Sequence, residues 1–567
     1  MRPSAAAKLP IILFALAAAG CQDHTRPEPS PDEPAPAHLS VLYVCDNRFD
    51  LESRKTTPVI IRYNVLGTSE RGELLLPPSE EPGAPSTTRL VTLRQGSLQV
   101  SYGDEALSPV HNLATACAPD PAPGPHAIMG EWAPPFAWPV VAVHLHLLPD
   151  GRVLSWGAVG DPQVWDPATG QFTAAPSTTM LFCSGHSFMG DGRLLVTGGH
   201  ISEHHGLPDA NIFDPVSGTW TPVTPMSRGR WYPTSTTLAD GSVLTLGGRD
   251  QSGADVDLPE IWTAGRWRRL TGARRILPYY PRTFVAPNGL VFYAGELKET
   301  AYLDPAGAGQ WTPVASSNHG RRDYGSAVMY RSGKVMIVGG SDPPEATPTN
   351  TAELIDLTAS LPAWRYTDPM TYPRRQFNTT LLPDGTVLAT GGTSADGFSD
   401  PSGAVRAAEL WDPVTERWRV VASNRVTRVY HSTTLLLPDG RILHAGSGDG
   451  AGLPRELNAE IYSPPYLFRG PRPVISGVPA AVSYGEQFLI ETLDPGLIVR
   501  ATLVRSGSVT HGFDQNQRFL DLTFERTPGG LRVTGAVTND LAPPGDYFLF
   551  IFNDAGVPSV GRVVRVR

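Results

Sequence analysis

Ala142, Cys183, Tyr232, Tyr280, Tyr324, Gln376 and His431 each stand nine positions before the glycine of a recurring turn. Equivalent positions of a repeat occupy equivalent places in a fold, so three phenols, a thiol, an amide and an imidazole are expected around one axis. Apolar packing does not ask for such a set. It is either a ring of buried polar groups that satisfy one another or a site that can hold an ion. Tyr430 directly precedes His431. Strand neighbours point to opposite faces, so both reach one ion only if the chain bends where the strand begins. His144 and His146 fall on one strand face, a spacing that suits a metal, but without a third partner such a pair is ordinary polar packing. His186, His204 and His205 read as loop or surface histidines. No nucleophile elbow, P-loop or dinucleotide fingerprint occurs, and no carboxylate pair stands out for sugar hydrolysis.

The element that must position these residues is itself a repeat. The turn glycines Gly151, Gly192, Gly241, Gly289, Gly333, Gly385 and Gly440 are separated by 41, 49, 48, 44, 52 and 55 residues. Each lies between two apolar runs, mostly as Asp-Gly or Asn-Gly, which are strong hairpin signals. Gly-Gly and a Trp- or Phe-bearing strand usually follow. Units of this length fit the blades of a WD40- or kelch-sized propeller. With 57 Gly and 56 Pro in 567 residues, helical architectures are disfavoured. The expected fold is therefore all-β, with a seven-bladed β-propeller over residues 128–468. Gly130–Pro135 is expected to supply the last strand of the seventh blade, leaving no open edge. Short alternating runs over 471–567 predict an immunoglobulin-like β-sandwich, and 39–120 a small β domain.

Arg2 and Lys8 flank the start of an apolar stretch, Leu9–Ala19, too short to span a bilayer. It ends in small residues before Cys21, so 1–20 reads as a secretory leader of lipoprotein type. Cys21 is then the lipidated residue and 21–38 a Pro-rich tether. The chain is expected to be exported to a bacterial cell envelope or surface, touching membrane only through that anchor, or otherwise to be secreted. Export favours a disulfide between Cys45 and Cys117, which leaves Cys183 unpaired. A net charge of −9 without a long basic run excludes nucleic acid as a partner.

Four separated segments carry a resemblance: FCSGHSFMGDGRLLVTGG, RGRWYPTSTTLADGSVLTLGG, RVYHSTTLLLPDGRILHAGSG and VTHGFDQNQRFLDL. Together with PGDYFLFIFNDAGVPSVGRVVRV they look like the copper-radical oxidases, the family of galactose oxidase and glyoxal oxidase, over roughly 128–567. The resemblance implies one copper ion held by Tyr232, Tyr430, His431 and His511. It also implies a thioether between Cys183 and Tyr232 that makes a protein-derived radical cofactor. The activity implied is oxidation of small aldehydes or primary alcohols by O₂, giving H₂O₂, with Tyr430 as proton acceptor and Tyr232 as hydrogen acceptor. One departure stands out. Where galactose oxidase stacks a tryptophan over the crosslink, this chain has Asp250, and Trp231 is a neighbouring candidate. RGRWYPT around Tyr232 looks more like glyoxal oxidases, which favours hydrated aldehydes over galactose. The competing readings are a galactose-oxidase-like carbohydrate oxidase, a non-catalytic surface-binding propeller and a hydrolase.

Overall fold

All seven turn glycines have left-handed backbone, with φ between 73° and 88°, where only glycine is free of a side-chain clash. Each therefore closes a hairpin between the two apolar runs that flank it. The structure, a computed structural model, describes residues 39–45, 47–79, 86–92, 95–102, 105–107, 109–110 and 124–567. The expected leader, Cys21, the tether and Cys117 lie outside the described residues, as does the side chain of Cys45, and with them the expected disulfide.

Seven antiparallel sheets of four or more strands follow one another between His144 and Ser463, and each adds its strands in chain order. Their leading strands are His144–Leu147, Gly185–Phe188, Thr234–Thr237, Thr283–Val285, Ser326–Arg331, Arg375–Leu381 and Ser432–Leu436. In the seventh sheet, Asn458–Ser463 pairs with Glu131–Trp132, inside the segment expected to complete it. Phe136–Ala137 pairs further along the same strand.

Side chains link each sheet to the next. His144 meets His186 at 3.0 Å, Thr197 meets Ser235 at 2.9 Å and Thr236 meets Thr283 at 2.7 Å. Arg282 donates to the Gly325 carbonyl at 2.9 Å, Ser326 meets Thr379 at 2.7 Å and Thr380 donates to the Thr434 carbonyl at 3.5 Å. Thr433 then donates to the Ala142 carbonyl at 2.6 Å, which returns to the first sheet.

A second recurring device holds the start of four leading strands. Arg230, Arg322, Arg374 and Arg428 are buried, and each donates to a glycine carbonyl at the end of its sheet's second strand and to a buried glutamate. The ion pairs are Arg230–Glu260 at 3.1 Å, Arg322–Glu353 at 2.8 Å, Arg374–Glu409 at 2.6 Å and Arg428–Glu460 at 3.5 Å. Removing one partner leaves the other charge buried and unmatched. Arg230→Ala is therefore expected to destabilise the chain by about 3–5 kcal/mol, measured by denaturant unfolding.

Residues 475–566 enclose a separate core, including Ile490, Leu503, Leu531 and Ile551, between a five-stranded and a three-stranded sheet. One hairpin leaves it. Ser508–Thr510 pairs with His144–His146 and so extends the first sheet, and the turn of that hairpin is His511-Gly512. At the other end of the chain, Leu39–Ala106 forms two small sheets over a core that includes Phe49, Leu51, Ile61 and Leu98. Among the described residues no helix is long and apolar enough to cross a membrane.

Candidate metal centre

Six of the seven ring residues have left-handed backbone although none is glycine. Their φ values are 65° for Cys183, 66° for Tyr232, 46° for Tyr280, 50° for Tyr324, 55° for Gln376 and 67° for His431. Each costs on the order of 1–3 kcal/mol and persists only where the surroundings impose it. Backbone bonds do so here: Tyr232 N donates to the Cys183 carbonyl, Tyr280 N to that of Tyr232, and Gln376 N to that of Tyr324. This is the bend that lets adjacent residues face one site. The Tyr430 and His431 rings lie face to face, 3.7 Å apart. The clamp arginine stands two residues before Tyr232, Tyr324 and Gln376 but three before His431. The extra residue brings Tyr430 into the ring.

Tyr232, Tyr430, His431 and His511 are brought together, each buried. The Tyr232 and Tyr430 hydroxyls are 2.5 Å apart, and Tyr232 Oη is 3.3 Å from His431 Nε2. The ring centres of His431 and His511 are 4.6 Å apart, and those of Tyr232 and His511 4.5 Å. Hydrogen bonds fix both imidazole tautomers. His431 Nδ1 is 2.6 Å from the Gly448 carbonyl, which can only accept, so Nδ1 carries the proton. Thr510 gives its hydroxyl proton to the Val143 carbonyl at 3.0 Å and therefore accepts from His511 Nδ1 at 2.7 Å. Both Nε2 atoms are left as lone pairs, and that of His511 is buried without a partner. Burial also keeps the imidazoles neutral: it pulls His431 down to about 3 and His511 well below its usual value. Burial pushes both phenols up, a direction that a bound cation reverses.

Trp231 stacks on Tyr232 with ring centres 3.6 Å apart and planes 4° from parallel. The wall absent at position 250 is thus supplied from the adjacent residue. Asp250 does something else: its carboxylate accepts from Ser252 and Ala254 within its own turn and pairs with Arg228 at 3.1 Å. Cys183 is a buried thiol packed in one cluster with Trp231, Tyr232 and Tyr280. A cavity of about 630 Å³ opens beside the cluster, lined by Trp231, Tyr279, Phe398 and Tyr430 with Glu296 and Arg321 among its charged groups.

His186 corrects the surface reading. It is fully buried and bonds His144 at 3.0 Å and Ser508 at 2.6 Å, so the C-terminal hairpin, invisible to local pattern, is what encloses it. It also joins His146, whose ring centre is 4.3 Å away. Among the described residues, no group of three or more His, Cys, Asp or Glu is arranged to hold a metal ion. His204 does lie at a turn, with His205 opening the short strand after it, and His204 reaches Tyr279 Oη at 3.2 Å.

Three family models match: "Galactose oxidase-like, Early set domain" over 472–566, "Glyoxal oxidase N-terminus" over 341–466 and "Kelch motif" over 189–227. Galactose oxidase of Gibberella zeae is 31% identical over 497 residues, spanning 79% of this chain and 71% of the relative. The chain belongs to the copper-radical oxidase family. A second member, aldehyde oxidase GLOX of Vitis pseudoreticulata, is 30% identical over 470 residues, covering 75% of this chain and 89% of that one. A solved fungal alcohol oxidase of the AA5 family, in complex with copper, superposes with a TM-score of 0.72 at 26% identity. That likeness covers 77% of this chain and 99% of the other. As a copper-radical oxidase, the chain has a donor set that fits its metal. Two imidazole lone pairs and two phenol oxygens are an N,O set of the kind that favours Cu(II), and a bare, buried Nε2 is costly without an ion to engage it.

Proposed function

We propose that Tyr232, Tyr430, His431 and His511 hold one copper ion, and that Cys183 joins Tyr232 through a thioether. The seven sheets are read as the blades of one propeller over 128–468 that carries the site at its mouth. The sandwich over 471–567 reaches it with His511, and 39–120 is a separate small domain. The chain is read as an exported lipoprotein anchored through Cys21, and Cys45 with Cys117 as a disulfide.

The reaction is oxidation of a small aldehyde, as its hydrate, or of a primary alcohol, with O₂ reduced to H₂O₂. Copper bound here supplies a Lewis acid and a one-electron acceptor. Tyr430 lines the cavity and takes the substrate hydroxyl proton. Tyr232 takes the carbon-bound hydrogen and serves as the second one-electron acceptor. Trp231 covers the Tyr232 ring and excludes water from it. Carboxylates outnumber cationic side chains on the cavity wall, which disfavours anionic substrates such as glyoxylate.

The observation that carries this reading is the meeting of two phenol oxygens with the imidazoles of His431 and His511, the latter's Nε2 without a partner, beside an open cavity. A second reading, a carbohydrate or larger alcohol oxidase, is favoured by the cavity volume of about 630 Å³, more than a two-carbon aldehyde requires. The test is copper content together with peroxide release on glyoxal, methylglyoxal, glycerol and galactose. Glyoxal and methylglyoxal are expected to lead. A galactose preference selects the second reading, and no peroxide on any substrate favours a binding propeller.

A further inference from the structure

We propose that His200 is the base that removes the Cys183 thiol proton when the Cys183–Tyr232 thioether forms. This rests on the copper-radical reading of the site and assigns a residue to its assembly. His200 opens a short strand, His200–Ser202, directly after Gly198-Gly199. A Cβ on Gly198 would lie 2.2 Å from the Arg230 carbonyl oxygen, and one on Gly199 2.2 Å from that of Met180. The two glycines thus let the chain pass between the segments that carry Tyr232 and Cys183, and His200 emerges beside both. Its Nδ1 is 3.7 Å from Cys183 Sγ and 3.2 Å from Trp231 Nε1.

The indole N–H can only donate, so Nδ1 must be the lone-pair nitrogen and the proton of this neutral ring sits on Nε2. The thiol lies within hydrogen-bonding reach of the same nitrogen. Cys183 is fully buried, so bulk water does not reach its thiol proton and a neighbouring side chain must take it. Burial lowers His200 and keeps it unprotonated, while Glu203 favours the imidazolium once it forms. His200 is only half-buried, so it can pass the proton on to solvent. It does not line the cavity, and substrate oxidation gives it no task.

The step balances. One C–S bond forms, between Sγ and a carbon of the Tyr232 ring, and an S–H and a C–H bond break. The two electrons reduce O₂, and the two protons, one through His200 and one lost as the ring regains aromaticity, complete H₂O₂.

The test uses the full chain produced without copper and then given Cu(II) in air. Linkage is followed as a peptide pair, Cys183 with Tyr232, that weighs two hydrogens less than its sum. His200→Asn keeps an acceptor for Trp231 Nε1 but cannot take a proton, and His200→Ala removes both roles. Both are expected to link at least ~100-fold more slowly than wild type, the usual scale for losing a positioned base. Added imidazole should restore the rate in His200→Ala. Near-UV circular dichroism and copper uptake report folding in each variant. His200→Asn linking at the wild-type rate overturns the assignment. So does failure of added imidazole to restore linking in His200→Ala, which would make His200 only a support for the indole. Wild-type chain that takes up copper and never links overturns the thioether reading, and this assignment with it.

Discussion

Replacing His511 by alanine is expected to remove bound copper and lower peroxide-forming turnover by more than about 100-fold. Mutating a group that merely supports a metal ligand costs about 10–100-fold in affinity or activity; losing the ligand itself costs more. His511 contributes a lone pair that its hydrogen bond to Thr510 leaves pointing into the cluster. Its surroundings survive the change, because the hairpin is held by the pairing of Ser508–Thr510 with His144–His146 rather than by the imidazole. Alanine must still adopt φ near 47°, so His511→Asn is the gentler control, asparagine tolerating that region better. His431→Ala should behave alike. Thr510→Val, which takes away the acceptor for His511 Nδ1, should weaken copper binding by about 10–100-fold. Elemental analysis and competition with a copper chelator measure all of these. Full copper occupancy in His511→Ala would remove this residue from the ligand set.

How much of this was legible beforehand depends on where each constraint lies along the chain. The ring could be read because Asp-Gly turns mark the register of every repeat, and counting back from them lands on Cys183, Tyr232 and His431. Glu131–Trp132 could be placed because the seventh sheet lacked a strand that a Trp-bearing segment upstream could supply. The left-handed backbone at the ring positions has no composition signal, since phenols and imidazoles seldom adopt it. It decides the site nonetheless, by laying Trp231 over Tyr232 and Tyr430 against His431. The arginine clamps were missed although their spacing was available. Arg428 stands one residue further from His431 than Arg230 does from Tyr232, and that offset announces a second inward residue. His511 and the burial of His186 depend on a hairpin more than 300 positions away in the chain, which no local periodicity records. Likeness to a family located His511, and the pairing with His144–His146 explains why a β-sandwich is needed there at all.

Tyr430→Phe separates positioning from chemistry and is expected to lower turnover by about 10²–10⁴-fold, the range for loss of a general base. The ring has its own reasons to stay. It stacks on His431 at 3.7 Å, meets Phe398 edge-on at 4.8 Å and lies 6.0 Å from Tyr324, and phenylalanine keeps all of these contacts. A swap that conserves ring volume usually costs less than about 1.5 kcal/mol, so unfolding should shift little. What disappears is one oxygen, 2.5 Å from Tyr232 Oη, at the edge of the cavity where a substrate hydroxyl can arrive. Tyr232, His431 and His511 remain, so copper should still bind, more weakly than in wild type. The decisive comparison is therefore turnover per bound copper. If that ratio falls as stated, the missing oxygen was accepting the proton. If it is unchanged and only occupancy falls, Tyr430 is a ligand alone, and the proton must leave through Tyr232, the other phenol within reach.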